Sequence, residues 1–214
     1  MAASRPSRLL LKAGRSSLKS CVEAGEMREP GLAADAHSAF DRLAGEVGWP
    51  DRLANRVYLA VMVLPVAALY LTLRERDWSE QEAVEDVQAA FLASGEPQRR
   101  LFKLVLSSRV GRRLFLRSLR PNWLGLTPPP SNLWHLTERS PTRVTIDITR
   151  CYRWDEFNSI GIPEVASVVC AFEEHMMTPS PYLRVTGSSM ATGDDKCHFC
   201  FELLDTPEQE AVAG

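Results

Sequence analysis

The sequence predicts an α+β protein, with an N-terminal helical part followed by a small antiparallel sheet with inserted helices. Two changes of pattern support this. Apolar residues recur at helical spacing from Asp35 to about Leu119, and from Arg143 onward they alternate with a period of two. Helical segments then interrupt the strands without the regular strand–helix alternation of a doubly wound fold. A phosphate-binding glycine loop is also absent from the sequence.

Length and composition are typical of a soluble globular protein. The chain has 214 residues, 45% of them hydrophobic and 24% charged, and a formal charge of −2. We therefore predict one compact domain over 35–205, with no nucleic-acid partner and no membrane. The chain has five cysteines, an odd number, and we recognise no secretory signal in the sequence. Both observations favour free thiols and a cytoplasmic location.

The N-terminal segment 1–34 is interpreted as a flexible basic tail. Its first twenty residues contain five basic side chains and no acid. That composition also suits a transit peptide, but Leu9–Leu11 is too short an apolar run for a secretory signal. The tail is the interpretation we adopt.

The segment 35–120 is predicted to be helical. A first helix is expected near 35–47, and an apolar helix from about Asp51 to Arg76. Seventeen uncharged residues separate Arg56 from Arg74, and Pro65 interrupts them, so we predict a buried core helix rather than a membrane span.

A capping box predicts the start of the next helix. Ser79 is followed three residues later by Glu82, the spacing that satisfies the first free backbone N–H groups. We expect this helix to break at Gly95-Glu96-Pro97, and a basic helical stretch to follow as far as Arg120. This stretch is either a solvated face or a contact for an acidic partner or anionic substrate.

The remainder divides into a proline-rich linker at 121–140, an α+β cysteine-containing part at 141–205 and a tail at 206–214. Four prolines between Pro121 and Pro130 exclude helix continuation there. The following elements are predicted in order: strand 143–150, helix 154–160, helix 163–177, and strands 182–190 and 196–204 joined by a turn at 192–195.

Three cysteines of this last part, Cys151, Cys170 and Cys197, are candidates for chemistry. Cys170 lies on a predicted helix with Glu173 three residues on, so a carboxylate shares its face. Cys151 follows a strand end, where site residues often gather. Either thiol could equally be a buried small hydrophobe, which is common for free cysteine.

The Cys197-His198-Phe199-Cys200 segment looks at first like a metal clip. On a regular strand, however, Cys197 and Cys200 point to opposite faces and cannot chelate one ion, so we predict no metal. Arg184 and Thr186 share a strand face. If that face is inward, Arg184 needs a carboxylate partner, which could be Glu164, Glu173 or a substrate acid.

These residues resemble the L-2-amino-thiazoline-4-carboxylic acid hydrolase family over roughly 50–204. The stretch 64–83, LPVAALYLTLRERDWSEQEA, is similar as well. The positions that carry the C-terminal resemblance are Cys151, Gly161 with Pro163 and Glu164, Cys170 with Glu173, Arg184, and Gly193 with Cys197 and Phe199.

The resemblance implies a thiol-dependent hydrolase that opens a cyclic C=N bond in a small, carboxylate-bearing substrate, without a cofactor. It implies Cys170 as the nucleophile, with Cys151 and Cys197 as alternatives, and Glu173 as an acid that moves protons. Substrate-binding candidates are Arg184, Glu164, Thr186 and His198.

Three departures from the family pattern concern the substrate. Glu173 stands where the family has Asp, and His198 where it has a second Asp. The threonine of the arginine strand, Thr186, is also one residue closer to Arg184. The substrate is therefore expected to differ even where the reaction class is the same.

Residues 186–199 also resemble, more weakly, the small-molecule-binding domain named after 4-vinyl reductase. That resemblance implies the alternative of a non-catalytic binding domain of the same fold. A third hypothesis is a structural protein that contacts its partner through the basic helix 99–120. Self-association into a homo-oligomer is left open by the sequence.

Overall fold

The computed structural model describes residues 6–25, 29–126, 132–177 and 180–206, with the backbone alone at 120–126 and 177. It has the predicted α+β fold, with helices before and between the strands that form one antiparallel sheet. The chain divides into two compact units. Unit 1 comprises 1–94 and 152–172, and unit 2 comprises 95–151 and 173–214. One compact domain over 35–205 stays a prediction.

The helices and strands have the following bounds. The α-helices are α1 (Arg8–Ala24), α2 (Leu32–Glu46), α3 (Leu53–Tyr58), α4 (Leu64–Arg74), α5 (Glu80–Ser107), α6 (Arg109–Leu126), α7 (Tyr152–Ile160) and α8 (Ala166–Met177). The strands are β1 (Leu133–Arg139), β2 (Arg143–Arg150), β3 (Leu183–Ser188) and β4 (Cys197–Leu203).

Helix α1 occupies most of the segment interpreted as a flexible tail, and that prediction is wrong for residues 8–24. The Ser7 hydroxyl accepts a hydrogen bond from the Leu10 N–H and caps the helix. One face of α1 is buried in unit 1, with members at helical spacing: Leu10, Gly14, Leu18, Cys21 and Val22. The basic side chains occupy the other positions, which explains why composition alone suggested a tail.

The apolar segment of unit 1 is a buried core helix, as predicted. It runs over Leu53–Arg74, and 67% of its most apolar window is buried in the protein, so its apolar length is explained by the core. A π-helical turn at Leu59–Val63 separates α3 from α4, and Pro65 lies in the first turn of α4. The Ser17 hydroxyl donates to the carbonyl of Val61 in this turn at 2.8 Å.

The helical pair α5–α6 differs from the prediction in where it breaks. The capping box of α5 is confirmed, because Ser79 N–H donates to Glu82 at 3.0 Å and Glu82 N–H to the Ser79 hydroxyl at 3.3 Å. The helix then continues through Pro97 instead of ending there, and the break falls at Ser108. The Ser108 hydroxyl accepts from Gly111 N–H at 2.9 Å and caps α6.

The sheet of unit 2 has the order β1-β2-β4-β3, with every neighbouring pair antiparallel. The predicted strand 143–150 is confirmed, and the two later strands are each slightly shorter than predicted. The linker predicted over 121–140 is wrong at both ends. Helix α6 extends to Leu126 and β1 begins at Leu133, while residues 127–131 lie outside the described part of the chain.

One face of this sheet is apolar and packs within unit 2. Ile146 of β2 pairs with Phe199, and Val144 pairs with Phe201. Phe201 is fully buried and meets the ring of Phe115 from α6 edge-on at a centroid distance of 6.4 Å. The opposite face carries the polar residues of the same strands, because successive side chains alternate.

Candidate functional site

The polar face of the sheet in unit 2 is centred on Asp147 of β2. Its carboxylate is hydrogen-bonded to His198 Nδ1 at 2.6 Å and to Lys196 Nζ at 2.5 Å. Only 13% of the Asp147 side chain is exposed, against 44% for His198 and 43% for Lys196. The carboxylate is thus held inside while both partners reach solvent.

The protonation of this cluster follows from the hydrogen bonds. The ammonium of Lys196 and the imidazole of His198 both lower the pKa of Asp147, in that order of importance, and Asp147 in turn raises the pKa of Lys196. An ionised carboxylate can only accept, so Nδ1 of His198 carries the hydrogen. In the neutral imidazole Nε2 then holds the lone pair of a base.

Cys200 lies two residues from His198 on the same face of β4. It pairs with Thr145 of β2 on one side and with Thr186 of β3 on the other. Its sulfur interacts with the guanidinium of Arg143, and this interaction is the main reason that the pKa of Arg143 is raised.

The far end of this face is lined by ion pairs. Arg184 of β3 bridges to Glu202 of β4 at 3.4 Å. Arg143 bridges to Glu138 of β1 at 3.1 Å. Along β4 the face therefore presents an imidazole, a thiol and a carboxylate paired with a guanidinium, in that order.

Three of the residues predicted to bind substrate lie on this face: His198, Thr186 and Arg184. Thr186 and Arg184 are exposed, in register with Cys200 and Glu202. The carboxylate that Arg184 meets is Glu202, which the sequence reasoning had not proposed.

Two of the predicted catalytic cysteines lie elsewhere in unit 2. Cys197 pairs with Ile148, so it lies on the apolar face, where its sulfur accepts from Met190 N–H at 3.3 Å. Cys151 follows β2 directly and is buried, with 6% of its surface exposed. The predicted alternation of Cys197 and Cys200 is thus confirmed by the strand register.

The remaining candidates lie on the helices. Cys170 is half-buried in the part of α8 that belongs to unit 1, and Glu173 occupies the next turn of that helix. Glu164, in a short 3₁₀ turn of unit 1, accepts a hydrogen bond from the Tyr70 hydroxyl at 2.6 Å. Burial and this bond to Glu164 raise the pKa of Tyr70. Glu164 therefore has a structural partner within its own unit.

Asp147 and Cys200 are the site residues that sequence reasoning missed. A signal for Asp147 was present, because it is the one acid between the isoleucines of the strand 143–150. An acid at that position must lie on the face opposite Ile146 and Ile148. Within the described ranges, His, Cys, Asp and Glu side chains form no group of three or more suited to a metal ion.

Comparisons with known proteins identify no family for this chain. No protein-family model matches the chain, and no curated protein matches it. A solved structure, the Fe(II) unliganded H-NOX protein from K. algicida, aligns with 88% of this chain and 97% of its own chain. The TM-score is 0.32 and the identity 10%, too low to support a common fold or function.

Proposed function

We propose that the protein is a hydrolase of small, carboxylate-bearing cyclic C=N compounds, and that the polar face of its sheet is the active site. The observation that supports this best is the Asp147–His198 hydrogen bond of 2.6 Å. A largely shielded carboxylate that orients a half-exposed imidazole is an arrangement suited to general-base catalysis. The resemblance of the C-terminal motifs to thiazoline carboxylate hydrolases supplies the substrate class.

In this mechanism His198 is the base and Asp147 is a positioning residue. Asp147 fixes the Nδ1–H tautomer and stabilises the imidazolium that forms when Nε2 accepts a proton. Lys196 keeps Asp147 ionised, since their hydrogen bond lowers the pKa of the carboxylate. The imidazole is therefore held in one orientation, with Nε2 directed away from Asp147.

Cys200 is the thiol that we assign to this site, in place of the helical Cys170. It lies roughly 7 Å from His198 between Cα atoms, as expected two residues apart on a strand, so one water can bridge sulfur and imidazole. His198 accepts the thiol proton, and the sulfur adds to the C=N carbon while the π pair moves to nitrogen. That nitrogen takes the proton back from His198. The lone pair of the exocyclic amino group then forms a new C=N bond as the ring C–N bond breaks, and one amino proton passes to the leaving nitrogen. Water, deprotonated by His198, adds to this carbon, and the sulfur leaves and regains its proton from the imidazolium.

Arg184 is the residue we assign to the substrate carboxylate. It is exposed on the same face, and its present partner, Glu202, is a partly exposed side chain that a ligand acid could replace. Thr186 lies between Arg184 and Ser188 on β3, beside Cys200, where its hydroxyl can meet the heterocycle. The five free cysteines support a reducing, cytoplasmic setting for such a thiol enzyme.

The test is turnover of 2-amino-thiazoline-4-carboxylate by the purified chain and its variants. His198→Gln should lower kcat by about 100-fold to 10,000-fold, the range general-base catalysis supplies. Cys200→Ser should remove thiol-dependent turnover. His135→Gln is the matched control, because His135 pairs with Asp147 across the strands without a hydrogen bond to it.

The outcomes separate the competing functions. Loss of turnover in Cys170→Ser but not in Cys200→Ser would return the nucleophile to helix α8. Binding of the substrate by the wild-type protein without turnover would instead identify a non-catalytic binding domain. Neither binding nor turnover would refute the proposed substrate class.

A further inference from the structure

A cleft in unit 2 is lined by three arginines. It has a volume of about 540 Å³ and lies between helix α6 and the turn that joins β1 to β2. Arg113 and Arg117 contribute from α6, one turn apart on the same helix face, and Arg139 contributes from the end of β1. This volume lies in the range of small-molecule sites.

The three arginines have no anionic partner within the described part of the chain. No ion pair or hydrogen bond is formed by Arg113, Arg117 or Arg139 there, whereas the neighbouring Arg112 is committed to the fold. Arg112 donates to the carbonyls of Leu106 and Ser107 and lies over the Tyr182 ring at 4.3 Å. Arg112 is thus taken up by contacts within the described part of the chain, whereas the three cleft arginines are not.

The excess of positive charge extends well beyond the cleft along the sequence. From Pro97 to Thr137 the chain contains eight basic residues and no acid, although its net charge is only −2. The first acid after this stretch, Glu138, pairs with Arg143. Its strand partner is Thr145, so it lies on the opposite face of the sheet from the cleft. Among the residues that the structure describes, no carboxylate therefore neutralises the three arginines.

The turn supplies a hydroxyl donor and a rigid wall. Ser140 holds the turn by accepting from the Arg143 N–H at 2.9 Å, so its lone pairs are in use. The hydroxyl of Thr142 makes no hydrogen bond to any described residue and lines the cleft. Leu116 and Val144, both buried, form the apolar floor.

We propose that this cleft binds the phosphoryl group of a ligand. A phosphate monoester carries up to two negative charges and three acceptor oxygens, which match three guanidinium forks and a hydroxyl. A single carboxylate, with one charge and two oxygens, is satisfied by one arginine fork and leaves the others unpaired. The cleft lies on the α6 side of the sheet and the Asp147 face on the other, so the proposal is independent of the hydrolase activity.

The phosphoryl group can come from a soluble metabolite or from a phospholipid headgroup. Val110 and Leu114 are apolar side chains on α6 that are 69% and 58% exposed, and a bilayer would cover them. The experiment therefore has two arms. Inorganic pyrophosphate is titrated calorimetrically into the full chain at low salt, and flotation is measured with phosphatidylcholine vesicles with and without a phosphatidylinositol phosphate.

The test variants and their control all replace arginine by glutamine, and the control lies on the same helix as two of the cleft arginines. The double variant Arg113→Gln/Arg117→Gln, and separately Arg139→Gln, should weaken binding about tenfold or more, since each removes charge-assisted hydrogen bonds. Arg109→Gln is the control, because Arg109 is an exposed arginine of the same helix that does not line the cleft. Thermal melts by circular dichroism establish that each variant is folded.

The results assign the ligand source or overturn the proposal. Pyrophosphate binding that is lost in the cleft variants and kept in Arg109→Gln identifies a soluble phosphorylated ligand. Flotation that requires the phosphoinositide and the cleft arginines identifies a headgroup. Equal losses in Arg109→Gln and the cleft variants would show diffuse electrostatics and overturn the site, as would no binding in either arm.

Discussion

The two faces of the sheet in unit 2 are built from the same strands but hold their residues by different forces. On the apolar face, Phe201 is fully buried and packs against Phe115. On the polar face, Asp147 is held by hydrogen bonds to Lys196 and His198, whose side chains reach solvent. Burial stabilises the first face at any pH, whereas the second depends on the ionisation of its groups.

The cysteines of β4 show what this difference means for chemistry. Cys197 and Cys200 are three residues apart, yet Cys197 lies against Ile148 and Cys200 lies between Thr145 and Thr186. A thiol among apolar side chains acts as a small hydrophobe, whereas the sulfur of Cys200 interacts with the guanidinium of Arg143. The position in the pleat therefore decides which thiol is a candidate nucleophile.

The largest effect is expected on the apolar face. Phe201→Ala should lower the free energy of unfolding by about 3–5 kcal/mol, because a large ring is removed from a fully buried position. Urea unfolding measures the loss. Phe199→Ala is the control: Phe199 lies on the same face and strand but is only partly buried, so its loss should be smaller. Equal losses would mean that the two positions pack alike.

A pH-dependent effect is expected on the polar face. The pKa of Asp147 is lowered in the folded protein, so its contribution to stability is present above the unfolded carboxyl pKa of about 3.9. The contribution is lost as pH falls through the lower folded pKa. Asp147→Asn should therefore be less stable than wild type at pH 6, and the gap should narrow toward pH 2.

Urea midpoints of wild type and Asp147→Asn, measured between pH 6 and pH 2, report this difference in stability directly. Glu138→Gln serves as the control, since Glu138 is a half-exposed carboxylate that pairs with Arg143 elsewhere on this face. A difference between wild type and Asp147→Asn that stays constant with pH would contradict the role of carboxylate ionisation.

The smallest effect on stability is expected at the exposed Arg184–Glu202 pair of the polar face. Arg184→Ala should cost about 1 kcal/mol or less, because the Arg184–Glu202 pair is exposed and screened by solvent. The same substitution should markedly weaken binding of an acidic ligand if Arg184 holds its carboxylate. A double-mutant cycle with Glu202→Ala isolates the pair. A large stability loss with unchanged ligand affinity would invert the assignment.

Local signals predicted the elements well where one pattern dominated. The Ser79–Glu82 capping box, the strand 143–150 and the helix end at Gly161 are all present, because each depends on residues close in sequence. The prediction failed at Pro97, where a proline rule suggested a break and helix α5 continues. It failed again at α1, where basic composition obscured an amphipathic face.

The sequence by itself determined the α+β class, the order of its elements and the alternation that separates Cys197 from Cys200. These follow from hydrophobic periodicity, which is a local property of the chain. Only the tertiary structure decided that Asp147 meets His198, residues 51 positions apart, and that Arg139 lines a cleft with Arg113 and Arg117. Strand pairing and helix packing set such contacts, and neither is encoded in the spacing of the residues that meet.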